Sequence, residues 1–126
     1  MIEGLFTDTN YLAAKKLLDM TALRHEAIAS NIANIETPNY RRIDVAPSFS
    51  AELQQALAGK NPSQITSLEP HLEVDPNAVA TSRDGNTVQL ETELLNLQQN
   101  TMAHTLETQI VSSSLARLRM AITGRS

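Results

Sequence analysis

Apolar residues near the start of the chain recur every three to four positions, the spacing that places them on one face of an α-helix. The repeat ends before Pro38, which forces its preceding residue out of the helical region. It predicts a helix from about Thr9 to about Asn34. Leu12 and Leu23 lie off the main stripe and predict a second contact face. The main stripe consists of Tyr11, Ala14, Leu18, Ala22, Ile28, Ala29, Ile32 and Ile35.

A second helical repeat predicts a helix from near Asn86 to about Thr123, where Asn86 and Gln89 resemble a capping box. Its heptad-like stripe, diluted by Thr and His, consists of Leu90, Leu94, Leu97, Thr101, His104, Thr108, Val111, Leu115, Leu118 and Ile122. A second stripe on a different face consists of Leu95, Met102, Leu106, Ile110 and Met120. A lone helix is marginally stable, so both stripes need cover. The N-terminal helix can cover one, and the middle of the chain or another subunit the other.

The middle of the chain is rich in proline and glycine, which interrupt regular structure. One short helix is predicted over Ser48–Ala58, with Ser48 as its cap and Gly59 as its stop. Its apolar stripe is Phe49, Leu53 and Leu57. Residues Val79–Ser82 could pair with a partner strand across Asp84-Gly85 and form a small β-hairpin.

The length of 126 residues predicts one domain, 1–126. We expect a mainly α fold with a helical segment 9–36, a loop-rich middle 37–86 and a helix 87–123. The two long terminal helices should pack antiparallel as a coiled-coil-like pair. A plain two-helix hairpin with the loop folded over it fits the pattern equally well.

Composition excludes several functions. A net charge of −4 argues against a nucleic-acid binder, and the absence of cysteine excludes disulfide and thiol chemistry. Aromatic residues make up only 3%, too few for a typical apolar ligand pocket. No apolar run is long enough to span a membrane. The N-terminus lacks a basic stretch before an apolar core, so we expect no cleaved signal peptide.

No residues form a recognisable catalytic, cofactor-binding or metal site, so we expect neither an enzyme nor a cofactor. His25 and His104 fall on or near the apolar stripes, which predicts packed core histidines. The serines at 112–114 lack a base at useful spacing, and no glycine pattern for phosphate binding is present. We interpret Arg41-Arg42 as a solvated patch or a contact between subunits.

The stretch after the first helix is more distinctive. Asn31 and Asn34 are placed to bond backbone groups where the helix ends. Pro38 and Asn39 suit the two central positions of a type II turn, since Asn tolerates positive φ. Tyr40 then offers an amphipathic anchor.

This stretch resembles the N-terminal signature of the rod and hook axial proteins of bacterial flagella. The resemblance starts at Leu23-Arg24, and Asn39 stands where glycine is usual in that family. Both residues accept the left-handed conformation. The matching assembly motif is Asn31, Ile32, Ala33, Asn34, Thr37, Pro38, Asn39 and Tyr40.

The short middle has no room for the β-rich insertions of hook and distal-rod members. Residues 84–88 also resemble the proximal rod proteins of the family. Gln89 stands where one type of proximal rod protein has an acidic residue, which leaves a sibling type open as an alternative.

The resemblance implies a structural subunit of the periplasmic rod in the flagellar basal body, made in the cytoplasm and exported by the flagellar type III apparatus. Its partners would be other copies, other rod proteins and the export apparatus, with no nucleic acid or small-molecule substrate. Phe49 and Leu53 fit an export element of the family, or equally a core-facing helix turn. The expected helix-packing seam is Leu18, Ile28, Ile32, Leu90, Leu94, Leu97, Val111, Leu115, Leu118 and Ile122.

A soluble helical adaptor or export chaperone that binds one partner is the alternative from another class. An adaptor that folds alone should protect the amides of both long helices in the monomer, whereas a rod subunit should order its ends on assembly. An enzyme has no motif to support it.

Overall fold

The computed structural model describes residues 9–124 as a mainly α-helical chain. The two long helices pack side by side and antiparallel, since Asn31 meets Glu93 and Thr21 meets Glu107. The predicted fold class is therefore confirmed. In chain order the elements are α1 (Thr9–Ala33), β1 (Ile43–Val45), α2 (Ser48–Ala58), α3 (Pro62–Ser67), β2 (Leu72–Val74) and α4 (Leu90–Thr123).

The second contact face of α1 carries the largest apolar cluster. Leu12 and Leu23 pack there against side chains from the middle of the chain, as the sequence predicted. Apolar burial on this scale is the main force that holds a short, loop-rich segment in place. The buried members of the cluster are Met20, Val45, Phe49, Leu53, Ala56 and Ile65.

The middle segment differs from its prediction in two ways. The predicted hairpin at Val79–Ser82 is wrong, because β1 pairs with β2 in antiparallel register, with Asp44 opposite Glu73. The short helix α3 was missed, although Asn61 caps it by accepting a bond from the Ser63 amide at 3.0 Å. An Asn-Pro pair is a recognised helix start and could have revealed it.

The cap assignments also change. Helix α2 has the predicted bounds, but its N-cap is Pro47 rather than Ser48, and no side chain caps it. Gly59 is the C-cap, as expected. The capping box at Asn86 is wrong, because α4 begins at Leu90 after Gln89, whose side chain makes no capping bond.

Helix α4 turns a largely polar stripe towards α1. Its buried polar residues recur every seven positions and are Glu93, Asn100, Glu107 and Ser114. Of the predicted apolar seam of α4, Leu118 is buried and Leu97 and Val111 are half-buried. Those that remain exposed in the single chain are Leu90, Leu94, Leu115 and Ile122.

Candidate functional site

The motif picked out by the sequence lies where α1 ends. Residues 37–40 form a turn in which the Tyr40 amide donates to the Thr37 carbonyl at 3.3 Å. Asn39 has a φ of 60°, so the predicted positive φ at this position is confirmed. The segment 84–88 runs beside this turn, with the Asn39 amide bonded to the Asp84 carbonyl at 2.8 Å. We call residues 31–42 and 84–88 together the junction.

The two asparagines of the motif bond backbone groups, as predicted. Asn34 donates to the Ser30 carbonyl at 2.8 Å and so closes the last turn of α1. Asn31 is fully buried and makes a pair of 2.9 Å bonds with the amide and carbonyl of Ile43. Its side chain thereby replaces a neighbouring strand along β1 and fixes the strand against the helix.

Tyr40 is half-buried, and its hydroxyl lies 3.2 Å from Asn31 Oδ1 and 3.0 Å from the Ser30 hydroxyl. The ring is thus an anchor inside the chain. The remaining motif residues are less buried, with Ile32 half-buried and Ala33, Thr37 and Pro38 exposed.

Asn86 carries a role that sequence analysis missed. It is 2% exposed, and its amide nitrogen lies 2.8, 3.1 and 2.9 Å from the carbonyls of Asn34, Ile35 and Thr37. These three carbonyls follow the last residue of α1. One side chain, distant in sequence, therefore holds the turn that comes directly after the helix. Its oxygen accepts a bond from the Val88 amide at 2.8 Å.

Gly85 meets Asn39 at close range. A Cβ at position 85 would lie 2.4 Å from Asn39 Oδ1, and Gly85 has a φ of 79°. The positive φ therefore favours glycine here, and a Cβ would in addition force the Asn39 side chain to move.

Arg42 joins the junction to α4 and to the middle segment. Its Nε donates to Glu93 Oε1 at 2.7 Å, and its Nη1 donates to Asp75 Oδ2 at 2.6 Å. Glu93 is fully buried, and Asn31 donates to its second oxygen at 3.3 Å. The expectation that Arg42 is solvated or contacts another subunit is wrong, whereas Arg41 is exposed. The sequence feature that came closest to revealing this network was Glu93, an acidic residue within the predicted C-terminal helix.

The charges of this network stabilise one another. Burial alone would lower the pKa of Arg42, but the bonds to Glu93 and Asp75 outweigh it and raise that pKa above its ordinary value. Burial would raise the pKa of Asp75, yet the Asn77 amide and Arg42 hold it below its usual range. Both shifts favour the charged forms of Arg42 and Asp75, and removing one of them would leave a charge without its partner.

A second polar cluster lies midway along the helix pair. The Thr21 hydroxyl lies 2.8 Å from Glu107 Oε2 and 3.1 Å from His104 Nδ1. Asn100 donates to the Thr21 carbonyl at 2.8 Å. The expectation that His25 and His104 are packed core residues is wrong, because both are exposed. The third histidine is exposed as well, and His71 Nε2 lies 3.7 Å from Glu73 Oε2.

The remaining predicted site residues separate into two groups. On α1, Ile28 is buried, while Leu18 and Ile32 are half-buried. Phe49 and Leu53 lie in the apolar cluster at 1% and 3% exposure. Their core-facing interpretation is confirmed, and an export role remains untested.

The polar groups of the junction serve to hold elements of the chain together. Among residues 9–124, no group of three or more acidic or histidine side chains could hold a metal ion. Within the same range, no helix combines the length and apolar character needed to cross a membrane. The junction uses its polar groups to join the end of α1, the strand β1 and the start of α4.

Comparison with known proteins gives a consistent result. The chain is similar to the flagellar basal body rod protein FlgB of Borrelia hermsii, at 31% identity over 86% of this chain and 92% of the relative. It is 32% identical to FlgB of Borreliella burgdorferi, covering 75% and 82% of the two chains. FlgB of Aquifex aeolicus is 29% identical, covering 89% and 91%. No family model matches the chain.

Proposed function

This chain belongs to the FlgB family of flagellar basal body rod proteins, and from that premise we propose that it is a structural subunit of the proximal rod. We also propose that residues 1–126 form a single rod-type domain. We further propose that the chain leaves the cytoplasm through the flagellar type III apparatus without a cleaved signal. It would then assemble through its terminal helices with other copies and other rod proteins.

The observation that carries this function is the exposed apolar surface of α4. Nine of its large apolar side chains are between 42% and 63% exposed. Exposed apolar surface on this scale marks an interaction site. An enzyme or a monomer has no use for such a helix, whereas a subunit surrounded by neighbours needs one.

The deciding experiment is mass spectrometry of hook–basal bodies purified from the source organism. We expect this chain at a few copies per particle. Particles that are complete without it would show that the family relationship reflects descent alone.

The assembly surface can be tested by Leu115→Asp. Leu115 is 46% exposed, so the monomer should lose no more than about 0.5 kcal/mol of stability. Rod assembly and swimming should nevertheless be lost, because burying an unpaired carboxylate between subunits is costly. Gln54→Asp, on the exposed face of α2, is the matched control. Normal swimming of the Leu115→Asp strain would contradict assembly through this face.

The export element needs a control for folding, because Phe49 belongs to the core. Phe49→Ala should cost about 3–5 kcal/mol of stability, and Ile65→Ala in the same cluster about 2–5 kcal/mol. If Phe49 is also read by the export apparatus, only Phe49→Ala should reduce secretion at equal cytoplasmic level. Equal secretion of both variants would leave Phe49 as a core residue only.

Two alternatives are weaker. The relatives carry the FlgB name, which favours that type over the FlgC-type sibling left open by Gln89. An adaptor or export chaperone would bind one partner, which would cover one face of α4. The exposed apolar side chains on its other faces would then stay in solvent.

A further inference from the structure

Asp84 is followed by Gly85, and this pair of residues has a chemical reactivity that its place in the junction does not use. The carboxyl group of an aspartate can be attacked by the backbone nitrogen of the next residue, which closes a five-membered ring. The attack is easiest before glycine, because glycine has no Cβ to crowd the nitrogen. The other four aspartates precede Thr, Met, Val and Pro, and no asparagine precedes glycine. Asp84 is therefore the residue of this chain most susceptible to the reaction.

The reaction has two balanced steps. Gly85 N forms a bond to Asp84 Cγ, one Cγ–O bond breaks, and that oxygen leaves as water with the amide proton and the proton of the acid. Water then opens the ring by breaking the bond between the Asp84 carbonyl carbon and Gly85 N, which leaves Gly85 attached through Cγ. The water lost in the first step is regained in the second, so the product, isoaspartate, has the mass of the original chain.

The closed junction engages the groups that must react. The Ser82 hydroxyl and the Asn86 amide both donate to Asp84 Oδ1, the amide at 3.1 Å, and hold the carboxylate in place. The Gly85 amide donates to the Ser82 carbonyl at 3.2 Å, and its proton must leave when the ring closes. Ring closure therefore removes a donor and moves an acceptor that the folded chain has already paired.

The same contacts keep the carboxyl group in its less reactive form. The protonated acid can release water, whereas the carboxylate is a poor target for a nitrogen nucleophile. The bonds from the Ser82 hydroxyl and the Asn86 amide hold the pKa of Asp84 below its ordinary value. At a given pH, the protonated fraction is therefore smaller in the closed junction than in an unfolded chain, which lacks these bonds.

We propose that Asp84 is a site of spontaneous isomerisation to isoaspartate, and that the closed junction, chiefly through the Ser82 hydroxyl, keeps it unmodified. The product is incompatible with the junction. The Asp84 carbonyl, which accepts the Asn39 amide at 2.8 Å, would become a carboxylate outside the main chain. The main chain would also gain one carbon atom before Gly85, which displaces Asn86 from the turn after α1. A chain that stays unfolded therefore loses the ability to close the junction with time.

The rate can be measured on the full-length chain, incubated either folded in buffer or unfolded in guanidinium chloride at the same pH. Digestion after glutamate releases residues 74–91, and the two forms of this peptide have equal mass but separate on chromatography. We expect isoaspartate at position 84 to form at least roughly fivefold more slowly in the folded chain, since one or more hydrogen bonds must open first. Asp75, in the same peptide, precedes proline, whose nitrogen has no proton to lose, and is the internal control.

Ser82→Ala tests the protecting contact. Position 82 is exposed, so the variant should fold, which circular dichroism can verify. In the folded state it should form isoaspartate roughly fivefold faster than the natural chain, because one bond to the carboxylate is lost. Ser82→Thr keeps the hydroxyl, and Thr81→Ala changes the neighbouring exposed position. Both should behave like the natural chain.

Three results would overturn the inference. Absence of isoaspartate at position 84 in guanidinium chloride would show that the site is not reactive. Equal rates in the folded and the unfolded chain would show that the junction gives no protection. An unchanged rate in folded Ser82→Ala would show that the Ser82 hydroxyl is not the protecting contact.

Discussion

At the scale of single residues, the junction depends on side chains that replace backbone partners. Asn86 holds the turn after α1, and Asn31 pairs with β1 as a strand would. Both amides are buried, and a buried polar group left unpaired costs more than a hydrogen bond contributes. The identity of these two residues therefore matters more than their size.

Replacing Asn86 tests this directly. Asn86→Ala removes an amide group whose two N–H groups are shared among three carbonyls and should lower the free energy of unfolding by about 1–3 kcal/mol in a urea titration. Asn86→Asp, nearly the same shape but unable to donate when ionised, should cost at least as much at pH 7. Asn77→Ala, at an exposed position, is the control. Wild-type stability of both Asn86 variants would show that Asn86 does not hold the turn after α1.

Residue-level predictions succeeded where the partner is close in sequence. The turn at Pro38-Asn39 depends on local backbone preference alone, and the structure has it. Asn86 and Arg42 were misread because their partners lie about fifty positions away. Nothing in the spacing of Arg42 indicates that Glu93 will be buried beside it.

At the scale of elements, α4 is held by polar contacts along the face that meets α1. Asn100 bonds the Thr21 carbonyl, and its own Oδ1 is buried without a hydrogen-bond partner among the described residues. Polar residues at helix-pair positions fix the register at a cost in stability. The pairing of α1 with α4 is thus specific in register, while apolar attraction remains available on the other faces.

Burying Glu107 in this polar stripe costs stability, and the stability of the protein should therefore depend on pH. Burial raises the pKa of Glu107, and the bond from Thr21 and the charges of His104 and Arg24 only partly oppose it. The stability linked to protonated Glu107 is therefore present at low pH and lost as pH rises through its folded pKa.

Glu107→Gln carries no charge at any pH. We expect it to raise the midpoint of thermal unfolding by a few degrees at pH 7 and by less at pH 4. Glu52→Gln, on the exposed face of α2, should change neither value. A lower midpoint for Glu107→Gln at pH 7 would show that the ionised carboxylate stabilises the pair.

The helical period of α4 was predictable, but the face it turns inward was not. Hydrophobic periodicity assumes that apolar residues face the partner within the chain. That assumption holds for Leu118 and fails for Leu94, which is 50% exposed. A subunit with two kinds of partner divides its apolar residues between them, and one sequence does not say how.

At the scale of the whole molecule, the contacts of α4 are uneven. Its first half is tied by Glu93 to Arg42 and by Asn100 to Thr21, whereas its second half meets α1 mainly through Glu107, Ser114 and Leu118. Local stability follows such contacts, and regions with few of them open more readily.

Hydrogen exchange of the isolated monomer should reveal this gradient. We expect slow exchange for the amides of 93–104 and fast exchange for those of 110–123. A buried core around Phe49 should protect α2 as well. Uniform protection along α4 would favour the adaptor, which needs no partner to order its helices.

The junction also fixes both ends of the middle segment, whatever the length of its exposed loop around Val79. The chain leaves α1 at Asn34 and returns at Asn86, whose amide nitrogen lies 2.8 Å from the Asn34 carbonyl. Everything between these points starts and finishes at one place. Because a polypeptide whose ends are already joined can grow outward freely, Val79, at 73% exposure, is a position where a foreign domain could be accommodated. The fold is in this sense a packed frame with one loop on its side that is open to insertion.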